Sequence, residues 1–168
     1  MESLDYPDLH HASAMEGWLD LDLPEEAVVE YHRLTAQARN HPSVLELQWR
    51  LQSIRKDWLG AVETAQKVME LAPWLPNGWI HRSFSLHELR RTEEALRNLL
   101  EAEPRFPTNS IIPYNLACYA CQLGDLPMAR RWLRRVIDLK GIGHLKSTAL
   151  EDPDLAPLWA EIASSDLG

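Results

Sequence analysis

The stretch Tyr114-Asn115-Leu116-Ala117-Cys118-Tyr119-Ala120-Cys121-Gln122-Leu123-Gly124-Asp125-Leu126-Pro127-Met128-Ala129 decides the fold. Its first half sets small and apolar residues at helical spacing, Gly124-Asp125 breaks the run, and Ala129 with Leu133 four residues on opens a second helix. Ala129 also belongs to a series. Ala27, Ala61, Ala95 and Ala129 each stand 34 residues from the next. Each follows a turn or a helix start: Leu23-Pro24-Glu25-Glu26, Lys56-Asp57-Trp58-Leu59-Gly60, Arg91-Thr92-Glu93-Glu94 and Gly124-Asp125. Pro42, Pro76 and Ser110 keep the same period, where a helix-start proline or a serine cap would open the first helix of each unit.

The units resemble the tetratricopeptide repeat, whose 34-residue pattern is W-x2-L-G-x2-Y, then A-x3-F, then P. Unit 110–143 supplies Tyr114, Leu116, Ala117, Gly124-Asp125, Ala129 and Leu133. Unit 76–109 keeps Trp79, Ser83, Leu86, Ala95 and Leu99, and unit 42–75 keeps Leu45, Ala61, Val68, Leu71 and Pro73. Unit 8–41 is the most degenerate, with Trp18, Ala27, Tyr31 and Leu34 in register, as a terminal repeat lacking one neighbour can be. The resemblance implies an all-α, tetratricopeptide-like helical solenoid over one domain, residues 1–168, wound as a right-handed superhelix of helix-turn-helix repeats. Residues 144–168 then form a C-terminal capping helix, with Leu155, Leu158, Trp159 and Ile162 as its apolar stripe. Two positions depart from the pattern. Trp49 stands where the family prefers a small residue, and Pro104 is expected to end its helix early, leaving residues 105–109 as a long connection.

Composition agrees with a packed helical domain. The chain has 45% apolar residues and 7 tryptophans, and it lacks runs rich in Val, Ile and Thr. A net charge of −8 disfavours unaided nucleic-acid binding, which needs a surplus of Lys and Arg against phosphate. No basic segment precedes an apolar one at the N-terminus, and no apolar run reaches the ~18 residues of a membrane span, so a soluble cytoplasmic protein is expected. Cys118 and Cys121, three apart on one helix, suit a reduced compartment and read as small apolar residues.

The resemblance further implies a concave groove lined by the first helix of each unit. Carried over by position, its residues are Arg50, Asn77, Ile80, His81, Phe84, His87, Tyr114, Asn115, Cys118 and Gln122. Phe84 and Tyr114 would be flat anchors, or equally packing between helices, with Arg50, His81 and Asn115 as donors. Of the family's carboxylate-clamp pattern only Asn115 is present, because Glu46, Ile80 and Tyr114 stand at the lysine positions. A zinc set of Cys118, Cys121, His81 and His87 would need both histidines at one ion, yet six residues of helix separate them by about 9 Å. No phosphate loop, H-E-x-x-H spacing or nucleophile with a positioned base is present. Arg130, Arg131, Arg134 and Arg135 share one side of a helix that the fold turns mostly outward, as a solvated face or a dock for an acidic partner.

The expected function is a non-catalytic protein-protein interaction scaffold that holds a peptide or protein partner, with no cofactor, metal, nucleic acid or membrane. The alternatives are a self-assembling structural module, which would make a homo-oligomer, and a metal- or thiol-dependent activity at Cys118 and Cys121.

Overall fold

The computed structural model describes residues 4–167. Met1, Glu2 and Ser3, part of the stretch read above for a leader, and Gly168 lie outside the described residues. Among the described residues every regular element is helical. In chain order they are α1 (Asp8–Asp20), α2 (Pro24–Arg33), α3 (Pro42–Ile54), α4 (Trp58–Leu71), α5 (Asn77–Glu88), α6 (Thr92–Ala102), α7 (Ile111–Gln122), α8 (Leu126–Lys140), α9 (Ile142–Ala149) and α10 (Trp159–Ser164). Short 3-10 turns stand at Ala38–Asn40, Glu103–Arg105 and Pro153–Leu158.

Local chemistry sets these boundaries. Asp57 and Asp125 accept from the backbone N–H groups of Gly60 and Met128 at 3.1 and 3.0 Å, satisfying donors that the first turns of α4 and α8 leave free. Asn109 does the same for Ile111 and Ile112 ahead of α7. Pro24 and Pro42 occupy first-turn positions, where a missing N–H costs nothing. After α6, Pro104 tightens the chain into a 3-10 turn, and the connection to α7 is long, as its position suggested.

The corners repeat more faithfully than the side chains do. Asp22, Lys56, Arg90 and Gly124 all have positive φ, between 55° and 80°. The N–H of the next residue reaches back to Trp18 O, Gln52 O, Leu86 O and Ala120 O at 2.8 to 2.9 Å, and the N–H of the positive-φ residue itself reaches Leu19 O, Ser53 O, His87 O and Cys121 O. This is the same Schellman closure four times over, each 34 residues from the last, and it caps the orphan carbonyls of α1, α3, α5 and α7. Only the fourth corner has the glycine that the left-handed conformation favours.

The chain divides into two compact units, residues 1–85 and 86–168, with the division inside α5. In the first, the hairpins α1–α2 and α3–α4 bury Ala12, Leu34, Ala38 and Val44 in one cluster, and Met15, Leu19, Ala27 and Leu51 in another. Ala27 and Ala61 are fully buried, which lets the helices cross closely. Gly78 in α5 lies against α4, where an added Cβ would meet the backbone N of Met69 at 2.8 Å and Ala65 O at 3.1 Å.

In the second unit α7 packs on α6 and α8, with Leu99, Leu116, Ala117, Ala129 and Leu133 wholly buried. α9 follows α8 at Gly141 and packs back on it. The Pro153–Leu158 turn lies on α7, and α10 packs on that turn and on α9. Leu155, Leu158 and Ile162 of the anticipated stripe are fully buried, whereas Trp159 stays 37% exposed and donates its indole N–H to Ala149 O and Asp152 O.

Candidate peptide-binding residues

In the first unit two of the expected site residues, His81 and Phe84, join one aromatic cluster. The Trp49 and His81 rings are parallel, 3.6 Å apart at 3°, and Phe84 meets Trp49 and Trp58 edge-on at 6.2 and 5.7 Å. Trp49 Nε1 donates to Ser85 Oγ at 3.0 Å, and the Ser85 hydroxyl donates to His81 O at 2.8 Å, so the indole is fixed at both its face and its edge. The tryptophan that departs from the repeat pattern is therefore the centre of this cluster.

His81 Nε2 lies 3.2 Å from Glu46 Oε1, while the buried Nδ1 has no hydrogen-bond partner. That pattern assigns the proton to Nε2, which donates to the carboxylate. Burial lowers the His81 pKa to about 4, so the imidazole is neutral at pH 7. Burial also raises the Glu46 pKa, an effect opposed by a side-chain hydrogen bond from Asn77. Arg50 reaches Asp20 of α1 at 2.7 Å with both side chains well exposed. Ile80 is half-buried, and Phe84 remains 37% exposed despite its aromatic contacts.

In the second unit the expected residues meet the chain's own C-terminal segment. Tyr114 Oη donates to Asp152 Oδ2 at 2.7 Å, and Cys118 Sγ lies 3.6 Å from the same oxygen. Gln122 Nε2 donates to Asp154 O at 3.1 Å. His87 bridges Thr92 Oγ1 at 3.0 Å and Asp154 Oδ2 at 3.1 Å, its ring 5.0 Å from that of Tyr119. Asn115 is half-buried on α7. Asp152 and Asp154 were not legible as part of this surface, because nothing in a pattern of repeats says where a segment beyond the last repeat will lie.

Burial and then Asp152 raise the Cys118 thiol well above its ordinary pKa, and burial raises that of Cys121, so neither is poised as a thiolate. Burial, with the Asp152 hydrogen bond, likewise raises the Tyr114 hydroxyl. Of the residues weighed as a zinc set, His81 has Glu46 and Trp49 as partners, His87 has Thr92 and Asp154, and Cys118 has Asp152. Among the described residues no group of three or more His, Cys, Asp or Glu is arranged to hold a metal ion.

The arginines of α8 are less free than an outward-facing helix suggests. Arg130 forms a two-pronged ion pair with Glu161 of α10 at 2.6 and 2.7 Å. Arg134 donates to Leu167 O, Arg135 donates to Pro107 O, and Arg131 lies over the Trp132 ring. Two of the four thus fasten the C-terminal segment. Among the described residues no helix is long and apolar enough to cross a membrane.

No protein-family model matches the sequence, and no curated sequence matches it either. Solved structures do match its fold. A thermophilic TPR protein of Thermus thermophilus superposes with a TM-score of 0.74 at 18% identity, covering 95% of this chain and 85% of that one. MamA of Desulfovibrio magneticus RS-1 superposes with a TM-score of 0.72 at 18% identity, covering 98% and 96%. MamA of AMB-1 does so with a TM-score of 0.65 at 11% identity, covering 97% and 94%. The fold is therefore the all-α, tetratricopeptide-like helical solenoid that the 34-residue period implied.

Proposed function

We propose that this chain is a non-catalytic interaction scaffold that holds a peptide or protein segment on first-helix side chains of its first unit, namely Arg50, Asn77, Ile80, His81 and Phe84. One observation carries the reading: Phe84 is an exposed aromatic braced by Trp49 and Trp58 on rigid helices. A large apolar side chain that loses little entropy on binding is the usual energetic centre of a protein interface. The neutral His81 imidazole shares the Trp49 ring with it, and His81 in turn meets the Glu46 carboxylate, itself bonded by the Asn77 amide, polar groups that orient a bound backbone. The raised thiols and the His81 imidazole committed to Glu46 favour binding over catalysis.

The test is selection of binders from a displayed peptide library on the full chain, followed by affinity measurement on Phe84→Ala with its fold checked by circular dichroism. Loss of about 2 kcal/mol, roughly thirty-fold in Kd, is expected for a central aromatic anchor. Binders that hold the variant as tightly as the wild type would place recognition elsewhere and end this reading.

A further inference from the structure

The second unit holds a surface on α7 that the chain's own C-terminal segment covers. Tyr114, Cys118 and Gln122 of α7 follow one another at intervals of four, so they form a single line along the helix. Each of them meets Asp152 or Asp154, and His87 joins them from the end of α5. The match is chemical as well as steric. A phenol hydroxyl, a side-chain amide and an imidazole, all donors, face two carboxylates and a backbone carbonyl. Asp152 also accepts from Asp154 N at 3.0 Å, which pins Asp152-Pro153-Asp154 in the tight turn that presents the Asp152 carboxylate to α7 and the Asp154 carboxylate to His87. Leu155 follows directly and is fully buried.

Resting on the scaffold reading above, we propose that this line on α7 is a receptor for an acidic Asp-Pro-Asp-Leu type of segment, occupied in cis by residues 152–155, and that a partner segment of the same chemistry binds by displacing it. A tethered occupant acts at an effective concentration in the millimolar range, so an untethered segment competes only where the cis contacts are weakened or the partner's are stronger. The fastening of residues beyond the turn is separate. The Arg130–Glu161 ion pair and buried Ile162 hold α10 without involving either carboxylate, and Trp159 at its start meets Asp152 only at the backbone carbonyl. Loss of the two carboxylate contacts therefore loosens the turn while α10 stays anchored.

Cys118 reports on the turn directly, since it is buried and lies beneath Asp152. The experiment uses the full chain with Cys121→Ala, and a fluorescent peptide copying residues 149–160 as the probe. Peptide binding is read by anisotropy and Cys118 exposure by its alkylation rate. Asp152→Asn with Asp154→Asn is expected to bind the peptide at least ten-fold more tightly than the parent and to alkylate at least ten-fold faster, with bound peptide slowing alkylation again. Removing a carboxylate beside a thiol also makes it more reactive, so Tyr114→Phe is the companion variant. It keeps both acids, loses the 2.7 Å hydrogen bond, and should raise the alkylation rate several-fold. Faster alkylation without peptide binding would overturn the proposal and leave the turn a lid alone. Unchanged alkylation in both variants would also overturn it. Phe84→Ala should alter neither readout, so failure here is distinguishable from failure of the scaffold reading.

Discussion

Acidification should destabilise this protein through His81, by an amount that its burial sets. The His81 pKa is about 4 in the folded chain against 6.5 for an unperturbed histidine. Above pH 6.5 the ring is neutral in both states and its stability contribution is complete. As the pH falls below 6.5 the unfolded chain takes up a proton that the folded chain refuses, and stability falls until about pH 4, below which the loss is constant. The whole difference corresponds to about 3 kcal/mol, of which about 2 kcal/mol is reached between pH 7 and pH 5. For a chain of this size that is a drop in Tm of about 4–8 °C. The raised carboxyl of Glu46 acts in the opposite sense, since its stability contribution is present at low pH and is lost as the pH rises through its folded pKa. It opposes the His81 effect most towards the acid end of the range. The assay is urea unfolding followed by tryptophan fluorescence at pH 7, 6, 5.5 and 5, on the wild type and on His81→Phe. Phenylalanine keeps the stack on Trp49 but does not titrate, so its stability should vary with pH by about 2 kcal/mol less over that range. If the two proteins lose stability in parallel, burial of a neutral imidazole is not the cause and the assignment of His81 fails.

Three further outcomes follow from packing and backbone geometry. Gly78→Ala should cost about 1–3 kcal/mol in urea unfolding, because the new methyl meets α4 backbone, which cannot move aside as a side-chain tip can. Lys56→Gly and Arg90→Gly should each stabilise by up to about 1 kcal/mol by relieving left-handed backbone, whereas Gly124→Ala should lose a similar amount, all read as shifts in the same denaturant midpoint. Leu158→Ala should cost about 2–5 kcal/mol by opening a cavity in the second unit, read as a lower denaturant midpoint.

The period was legible because it depends on small residues that cannot be replaced cheaply. A side chain larger than alanine at Ala27, Ala61, Ala95 or Ala129 would force two helices apart, so the sequence carries the crossing points openly. The corners were half legible. Gly124-Asp125 announces a turn, while Lys56 and Arg90 adopt the same conformation against their intrinsic preference and so leave no mark in composition. Trp49 was visible as a misfit, yet its partner His81 lies 32 residues away and belongs to the next repeat, beyond any single-unit pattern. The acids of the C-terminal turn were the least legible. Charge repulsion and solubility explain most runs such as Glu151-Asp152-Pro153-Asp154 equally well, and only their placement against Tyr114 and His87 distinguishes them.

The fourfold corner also governs how the chain reaches its fold. Each corner is closed by hydrogen bonds spanning at most six residues, and the hairpins α1–α2, α3–α4 and α7–α8 each pack helix on sequence-adjacent helix. Contacts so local lose little loop entropy when they form, so the transition state need not assemble distant parts of the chain. Folding can begin at any hairpin and spread to its neighbours, and amide exchange should group by helix pair, with no single slowest core shared by the whole chain.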